Sequence, residues 1–163
     1  MNEETKGPAG ADFVVERTSV DKLTEAEMAQ CVAIVRAGKA IRKDYETQGL
    51  KETAVLAVVR QGGEIVGVGA IKKPRAYTGT IATKAGYDFP VDTPELGYIA
   101  VSKGGNDLSP RIVASLLDGH QGPLFATTSH PKIKSVLKAA GFEVKGNEYE
   151  GNSGSQLSLW TKD

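Results

Sequence analysis

Two neighbouring stretches of the chain show the apolar pattern of paired β-strands. Ala54–Val59 is nearly continuous and apolar, as in a strand covered on both faces, and Ile65–Ile71 alternates glycine with valine and alanine. Between them, Gln61-Gly62-Gly63-Glu64 supplies the glycines that a tight turn needs at positive φ. The pattern predicts an antiparallel hairpin, with one glycine-lined face of the second strand open to close approach.

The segment before this hairpin shows helical spacing. Thr24 followed three positions later by Glu27 is a capping-box pattern, and an apolar stripe follows at i, i+3, i+4 and i+7: Met28, Cys31, Val32 and Val35. A second helical piece is predicted over Lys39–Thr47, and a short strand over Asp12–Arg17. Residues 1–11 are polar with Gly7, Pro8 and Gly10, and are interpreted as a flexible tail.

The second half of the chain alternates predicted strands and helices. Its predicted strands are Glu95–Val101, Leu124–Thr128, Glu143–Lys145 and Gln156–Thr161, with a loop at Tyr149–Gly154. One helix opens at Ser109-Pro110, a good N-cap followed by a residue suited to the first helical position, and another runs from Pro131 to Gly141-Phe142. Strands that precede, interleave with and follow helices predict a mixed α/β (α+β) fold, with residues 12–163 as a single domain.

The connection Lys72–Asp92 has no clear period and is rich in cations. It carries two tyrosines, Tyr77 and Tyr87, and four basic residues: Lys72, Lys73, Arg75 and Lys84. Irregular connections of this length in compact domains are usually functional or mobile. The connection is interpreted either as a substrate lid or anion-binding loop, or as a solvated surface excursion.

Composition excludes several classes of protein. Twenty basic side chains balance twenty acidic ones, so no global charge favours nucleic acid or anionic membrane. One cysteine excludes an internal disulfide framework, and two isolated histidines give no metal site. The acidic N-terminus lacks a secretory signal, and no stretch approaches the roughly 20 apolar residues of a membrane span, so a cytoplasmic protein with no membrane partner is expected.

The turn Ser102–Leu108 lies between a predicted strand and a predicted helix start. A helix start offers free backbone N–H groups and a positive dipole end, and Gly104 and Gly105 permit close backbone approach. Lys103 and Arg111 add positive charge on either side. The turn therefore predicts a site for a phosphate or pyrophosphate.

The order of these elements resembles the GCN5-related N-acetyltransferase (GNAT) family over roughly residues 54–161. Pro94–Val101 resembles the family's fourth strand, Leu116-Leu117 its paired leucines, Phe125–Thr128 its fifth strand, and Pro131–Phe142 its next helix with the closing Gly-Phe. The resemblance implies a GNAT-like acyl-CoA N-acyltransferase fold, with a central mixed, mostly antiparallel sheet flanked by helices. It also implies acetyl-CoA as acyl donor and no metal.

The pyrophosphate-loop motif is degenerate. Asn106 and Asp107 stand where the family signature has Arg or Gln and then its first Gly, and Leu137 stands where many members carry the tyrosine that protonates the departing thiolate. The resemblance still implies that the coenzyme lies against Ile99, Ala100, Val101, Lys103, Gly104, Gly105, Asn106, Asp107, Leu108, Ser109, Arg111 and His130.

The resemblance also implies the catalytic residues. Glu95 stands where some members carry a catalytic glutamate, and the alternative is a surface carboxylate at a strand end. Tyr98 and Ser129 are candidates for the vacant acid role, as are Thr128 and Tyr149. His130 is a coenzyme contact or, alternatively, a helix cap.

Three functions remain open. The first is an acetyl-CoA-dependent N-acetyltransferase whose amine acceptor is a small molecule, a protein or an aminoacyl-RNA. The second is a catalytically degenerate GNAT-fold module that serves in binding or interaction. The third makes the basic connection Lys72–Lys84 a nucleic-acid contact. The oligomeric state is open as well, a homodimer included.

Overall fold

The computed structural model describes residues 12–38, 46–74, 76–103, 107–151 and 154–163. Within these ranges, seven strands form one sheet: β1 (Phe13–Thr18), β2 (Thr53–Gln61), β3 (Glu64–Lys72), β4 (Glu95–Val101), β5 (Leu124–Thr128), β6 (Glu143–Glu150) and β7 (Gln156–Lys162). The order is β1-β2-β3-β4-β5-β7-β6, parallel between β4 and β5 and antiparallel at every other step. The predicted mixed, mostly antiparallel sheet is confirmed.

Helices flank the sheet: α1 (Glu25–Ala37), α2 (Glu46–Lys51), α3 (Tyr77–Ala85), α4 (Leu108–Leu117) and α5 (Pro131–Ala139). In β2, Leu56 and Val58 belong to the core cluster of α1, whereas Ala57 and Val59 belong to that of α4 and α5. Because side chains alternate along a strand, these clusters lie on opposite faces of the sheet. The apolar run of β2 is therefore covered on both sides, as its sequence predicts.

The glycine-lined face of β3 receives α4. A Cβ atom at Gly69 would lie 2.4 Å from Ile112 Cγ2 and 3.2 Å from Leu116 Cδ1. Any side chain larger than hydrogen would therefore force α4 away from the sheet. Close approach at this face, predicted from the glycine alternation, is confirmed.

The capping box at the start of α1 is also confirmed. Thr24 Oγ1 accepts a hydrogen bond from the Glu27 amide at 3.1 Å, and Glu27 Oε1 accepts one from the Thr24 amide at 2.9 Å. Cys31 on the same helix is fully buried, and burial raises its pKa to about 11. It is a core thiol rather than a nucleophile.

Three predictions about element limits are wrong. The connection after β3 is not irregular, because α3 occupies Tyr77–Ala85. Ser109 is not the cap of α4, which begins at Leu108 with Asp107 at the N-cap, and the Asp107 side chain forms no capping hydrogen bond among the described residues. Tyr149 lies in β6 rather than in a loop. The predicted tail, and most of the predicted helix Lys39–Thr47, lie outside the described residues.

Candidate active site

A cleft opens where β4 and β5 part. Glu95 and Phe125 are the registered partners between these parallel strands, joined where the Phe125 amide donates to the Pro94 carbonyl at 3.1 Å. Beyond this point the described strands diverge around a cavity of about 390 Å³. Its walls include Leu96, Gly97, Tyr98 and Ile99 from β4, Ala126, Thr127 and Thr128 from β5, and His130, Ile133 and Leu137 at α5.

A β-bulge shapes the β4 wall. Ala70 of β3 pairs with Gly97, but Val68 pairs with Ala100, so β4 carries one residue more than β3 over this interval. Tyr98 absorbs the extra residue with φ of 57°, the positive-φ region that non-glycine residues adopt rarely. Such strain is concentrated at functional sites, because the surrounding structure must hold it in place. The bulge re-aims the backbone of β4 beside the cleft.

Glu95 lies at the closed end of the cleft and is buried. Its Oε1 accepts a hydrogen bond from the Tyr77 hydroxyl and lies 3.4 Å from Lys72 Nζ. The interpretation of Glu95 as a surface carboxylate is therefore wrong. The structure instead places an acidic group, with two polar partners, inside a cavity.

Tyr77 was missed as a site residue because α3 was not predicted. Its helix lacks a capping side chain, since Ala76 stands at the N-cap. Two features of the sequence indicate α3. Thr78, Ile81 and Ala85, which the structure buries, recur at helical spacing, and Gly86 follows them as a typical C-cap glycine, with the left-handed conformation of such a cap. With α3 formed, Tyr77 reaches Glu95 from the connection.

Lys72 is turned into the cleft rather than toward solvent. It is the Cα partner of Glu95 across β3 and β4, and its side chain is only 14% exposed. The hypothesis of a basic nucleic-acid surface therefore loses one of its four cations. Lys73, the next residue, is exposed.

No protein-family model matches the sequence, and no curated protein matches it either. Solved structures do match. An acyl-CoA N-acyltransferase from Pseudomonas aeruginosa aligns with a TM-score of 0.68 at 10% identity, over 93% of this chain and 100% of its own. An acetyltransferase of the GNAT family from Streptococcus agalactiae aligns at 0.64 and 15% identity, over 93% and 97%. FeeM, an N-acyl amino acid synthase from uncultured soil microbes, aligns at 0.66 and 16% identity, over 95% and 92%. The chain has the GNAT fold.

Within this GNAT fold, Tyr98 and Ser129, two of the four candidates for the acid role, differ in burial. Tyr98 is buried among the residues of the α1 cluster and also lines the cleft. Ser129 follows β5, is exposed, and lines the same cleft. The structure brings both to the cavity that contains Glu95, and their catalytic roles stay predictions.

The two cations predicted for the phosphates have partners in the protein. Lys103 Nζ lies 3.0 Å from Glu64 Oε1 in an exposed pair, and Arg111 Nη2 donates to the Phe13 carbonyl at 3.0 Å. An exposed ion pair of this kind contributes little to stability and is easily exchanged for a ligand. Gly104, Gly105 and Asn106 lie outside the described residues.

His130 and Leu137 belong to α5 of the GNAT fold. His130 is its N-cap, because Nδ1 accepts a hydrogen bond from the Lys132 amide at 3.2 Å, and the ring also lines the cleft. The cap interpretation is confirmed, and the coenzyme contact stays a prediction. Leu137 is fully buried and packs into the core, so the aliphatic residue serves packing at this position.

Tyr149 lies beneath the cleft with an unpartnered hydroxyl. Within the described part of the chain, its buried Oη forms no hydrogen bond. Burial first, and the Glu95 carboxylate second, raise the pKa of Tyr149 to about 12, while a polar contact with the Thr127 side chain, too poor in geometry to count as a hydrogen bond, lowers it slightly. Burial and the nearby carboxylate disfavour the charged phenolate, so Tyr149 strongly prefers its neutral form.

Replacing Tyr149 by phenylalanine is expected to stabilise the fold by about 1 kcal/mol at pH 7, because it removes a buried hydroxyl that lacks a partner. The wild-type pKa near 12 exceeds the usual 10, so the unfolded chain ionises first, and wild type loses stability as pH rises from 10 toward 12 whereas Tyr149→Phe does not. Urea unfolding at several pH values measures both effects. Tyr87→Phe is the control, and a destabilised Tyr149→Phe variant would contradict the assignment of an orphaned hydroxyl.

Neither a cluster of metal ligands nor a membrane-spanning helix is found in the described ranges. They contain no group of three or more His, Cys, Asp or Glu side chains arranged to hold a metal ion. Among the helices of those same ranges, none combines the length and apolar character that a bilayer crossing requires.

Proposed function

We propose that this chain is an acetyl-CoA-dependent N-acetyltransferase that acts on a primary amine. The observation that carries the proposal is the buried Glu95 carboxylate at the closed end of the cleft between β4 and β5. A buried carboxylate at the wall of a cavity of about 390 Å³ suits deprotonation of an amine beside a thioester. The similarity to solved acyltransferases supports the fold on which this proposal rests.

In this proposal the cleft holds the pantetheine arm and the start of α4 holds the diphosphate. The amides of Leu108 and Ser109 stand in the first turn of α4, where backbone N–H groups have no intrahelical acceptor. Lys103 and Arg111 flank that turn and supply charge. The thioester lies against the bulge at Tyr98 and Ile99, where a backbone N–H polarises its carbonyl oxygen.

The reaction follows from these positions. An amine enters as an ammonium ion, because its pKa of about 10 lies well above neutral pH. Glu95 takes one proton, and the nitrogen lone pair attacks the thioester carbonyl carbon. The N–C bond forms and the C–S bond breaks. The second proton of the nitrogen passes to the thiolate, through Tyr98 or Ser129 or directly, since a thiolate with a parent pKa of roughly 8–9 leaves readily.

Acetyl-CoA binding is the first test. At 100 times its Kd, acetyl-CoA is expected to stabilise the protein by roughly 2.7 kcal/mol, which raises the melting temperature by several degrees. Thr127→Trp places a large ring in the cleft and should abolish the shift. Thr83→Trp, on the exposed side of α3, is the matched control and should keep it.

The alternative is a catalytically degenerate module of the same fold. Two observations favour it: Leu137 is packed into the core, and Lys103 and Arg111 are engaged with Glu64 and Phe13. A wild-type melting temperature that millimolar acetyl-CoA leaves unchanged would exclude the enzyme and support the module.

A further inference from the structure

Lys72 and Glu95 present opposite charges to the same cleft. Lys72 Nζ lies 3.4 Å from Glu95 Oε1, and the two side chains are only 14% and 8% exposed. Both residues line the cavity where β4 and β5 part. The cavity therefore contains one positive and one negative group side by side, with an open space in front of them.

Neighbouring residues hold Lys72 in this position. Its Nζ lies 4.1 Å from the centre of the Tyr98 ring, within the range of cation–π attraction. Gly97 leaves room for its stem, since a Cβ atom there would lie 2.7 Å from Lys72 Cε and 3.1 Å from Nζ. The ammonium group is thus placed by the strand, the ring and the glycine together.

Stability alone does not account for this pair. Removing two charges from water costs about as much free energy as their attraction returns, and an apolar pair of similar size is often equally stable. A charged pair at a cavity wall is better suited to recognise a ligand, because each group offers a strong hydrogen bond to an opposite charge.

We propose that the acceptor is a free α-amino acid, or a small molecule with an α-amino acid end, whose amine contacts Glu95 and whose carboxylate contacts Lys72. This assignment rests on the function proposed above. Standard bond lengths place the amine nitrogen and a carboxylate oxygen of an α-amino acid roughly 3 Å apart. That separation is close to the 3.4 Å between Lys72 Nζ and Glu95 Oε1. The ammonium group of the zwitterion can therefore face Glu95 while its carboxylate faces Lys72.

The same pair selects against other amines. A simple amine enters as an ammonium ion and meets Lys72 with no anion of its own, so like charges repel. An amino acid amide offers Lys72 only a neutral carbonyl oxygen, which forms a weaker hydrogen bond than a carboxylate does. Discrimination therefore depends on the charge of Lys72, whereas the chemical step depends on Glu95.

The experiment compares three matched acceptor pools in a thiol-release assay with saturating acetyl-CoA: the standard amino acids, their amides and their decarboxylated amines. With wild type, kcat/KM for the most active amino acid should exceed that for its amide by roughly 10- to 100-fold, as the loss of a charged hydrogen bond predicts. Lys72→Met should remove this preference, and Lys72→Arg should restore part of it. Lys73→Met, a change of the adjacent exposed lysine, should keep the preference intact.

Each outcome decides between assignments. Amides or simple amines used as well as amino acids, or a preference that survives Lys72→Met in a folded variant, would overturn the proposal. So would thiol release with none of the three pools from a protein that acetyl-CoA stabilises. A gain of one acetyl group, located on Lys72 by mass spectrometry of peptide fragments, would make this lysine an acceptor itself and also overturn it. Failure of acetyl-CoA to raise the melting temperature would instead defeat the proposed function on which it rests.

Discussion

Glu95→Gln is expected to lower kcat/KM for acetyl transfer by roughly 10²- to 10⁴-fold, the usual contribution of a positioned general base. Glutamine keeps the shape of the side chain and an oxygen that accepts the Tyr77 hydrogen bond, but it does not take a proton. Thiol release measures the loss. Acetyl-CoA should stabilise the variant as much as wild type, because Glu95 does not contact the diphosphate in the proposed complex.

Glu148→Gln is the matched control for this experiment. Glu148 carries the same functional group on β6, with its side chain 57% exposed and paired with Lys134 at 3.5 Å. Its replacement should leave kcat/KM unchanged. A Glu95→Gln variant with an unchanged kcat/KM would show that Glu95 is not the base and leave it as the charge partner of Lys72.

Gly146→Ala is expected to destabilise the fold by about 3 kcal/mol. Gly146 has φ of 67°, where a Cβ costs about 1–2 kcal/mol. An added Cβ would also lie 2.2 Å from the Ala85 carbonyl oxygen, and overlap with a backbone atom adds about 1–3 kcal/mol. The clash would push the C-terminal end of α3 away from β6. Urea unfolding measures the loss, and acyl transfer should fall too because α3 carries Tyr77.

Gly63→Ala separates the cost of a positive φ from the cost of overlap with the Ala85 carbonyl oxygen. Gly63 also has a positive φ, 88°, but a Cβ there meets nothing within 4 Å. This variant should lose only the backbone term, about 1–2 kcal/mol. Equal destabilisation of the two variants would show that contact between Gly146 and α3 contributes nothing to stability.

The sequence predicts some elements and not the contacts between them. The strands Glu95–Val101 and Leu124–Thr128 were predicted with the limits that the structure has, because each is a compact apolar run between clear breaks. The helix α3 was missed because Gly79 interrupts it and Ala76 offers no cap. Because the sequence did not predict α3, it did not predict that Tyr77 reaches the site.

Of the cleft residues, the sequence predicts Glu95, Tyr98, Ile99, Ser129 and His130, but not Lys72 or Tyr77. The contact between Lys72 and Glu95 depends on the register of β3 against β4, and a bulge at Tyr98 changes that register by one residue. The apolar pattern helps to set strand register, but it does not show where one strand carries an extra, unpaired residue. The predicted cap at Ser109 failed for a related reason, since Ser-Pro marks a helix start in general while α4 begins one residue earlier, at Leu108.

The registered pair Glu95 and Phe125 has a mechanical consequence. It joins one part of the sheet, β1 to β4, to the other, β5 to β7. Within each part, neighbouring strands pair over longer stretches. Widening the angle between these two parts of the sheet breaks few main-chain hydrogen bonds, and it is opposed mainly by the shared core cluster, which packs Leu96 and Ile112 with Leu124 and Ala126. A ligand bound between the two parts would hold them at a fixed angle. The hydrogen bond from the Phe125 amide would then open less often, and slower hydrogen exchange at that amide would report the bound ligand.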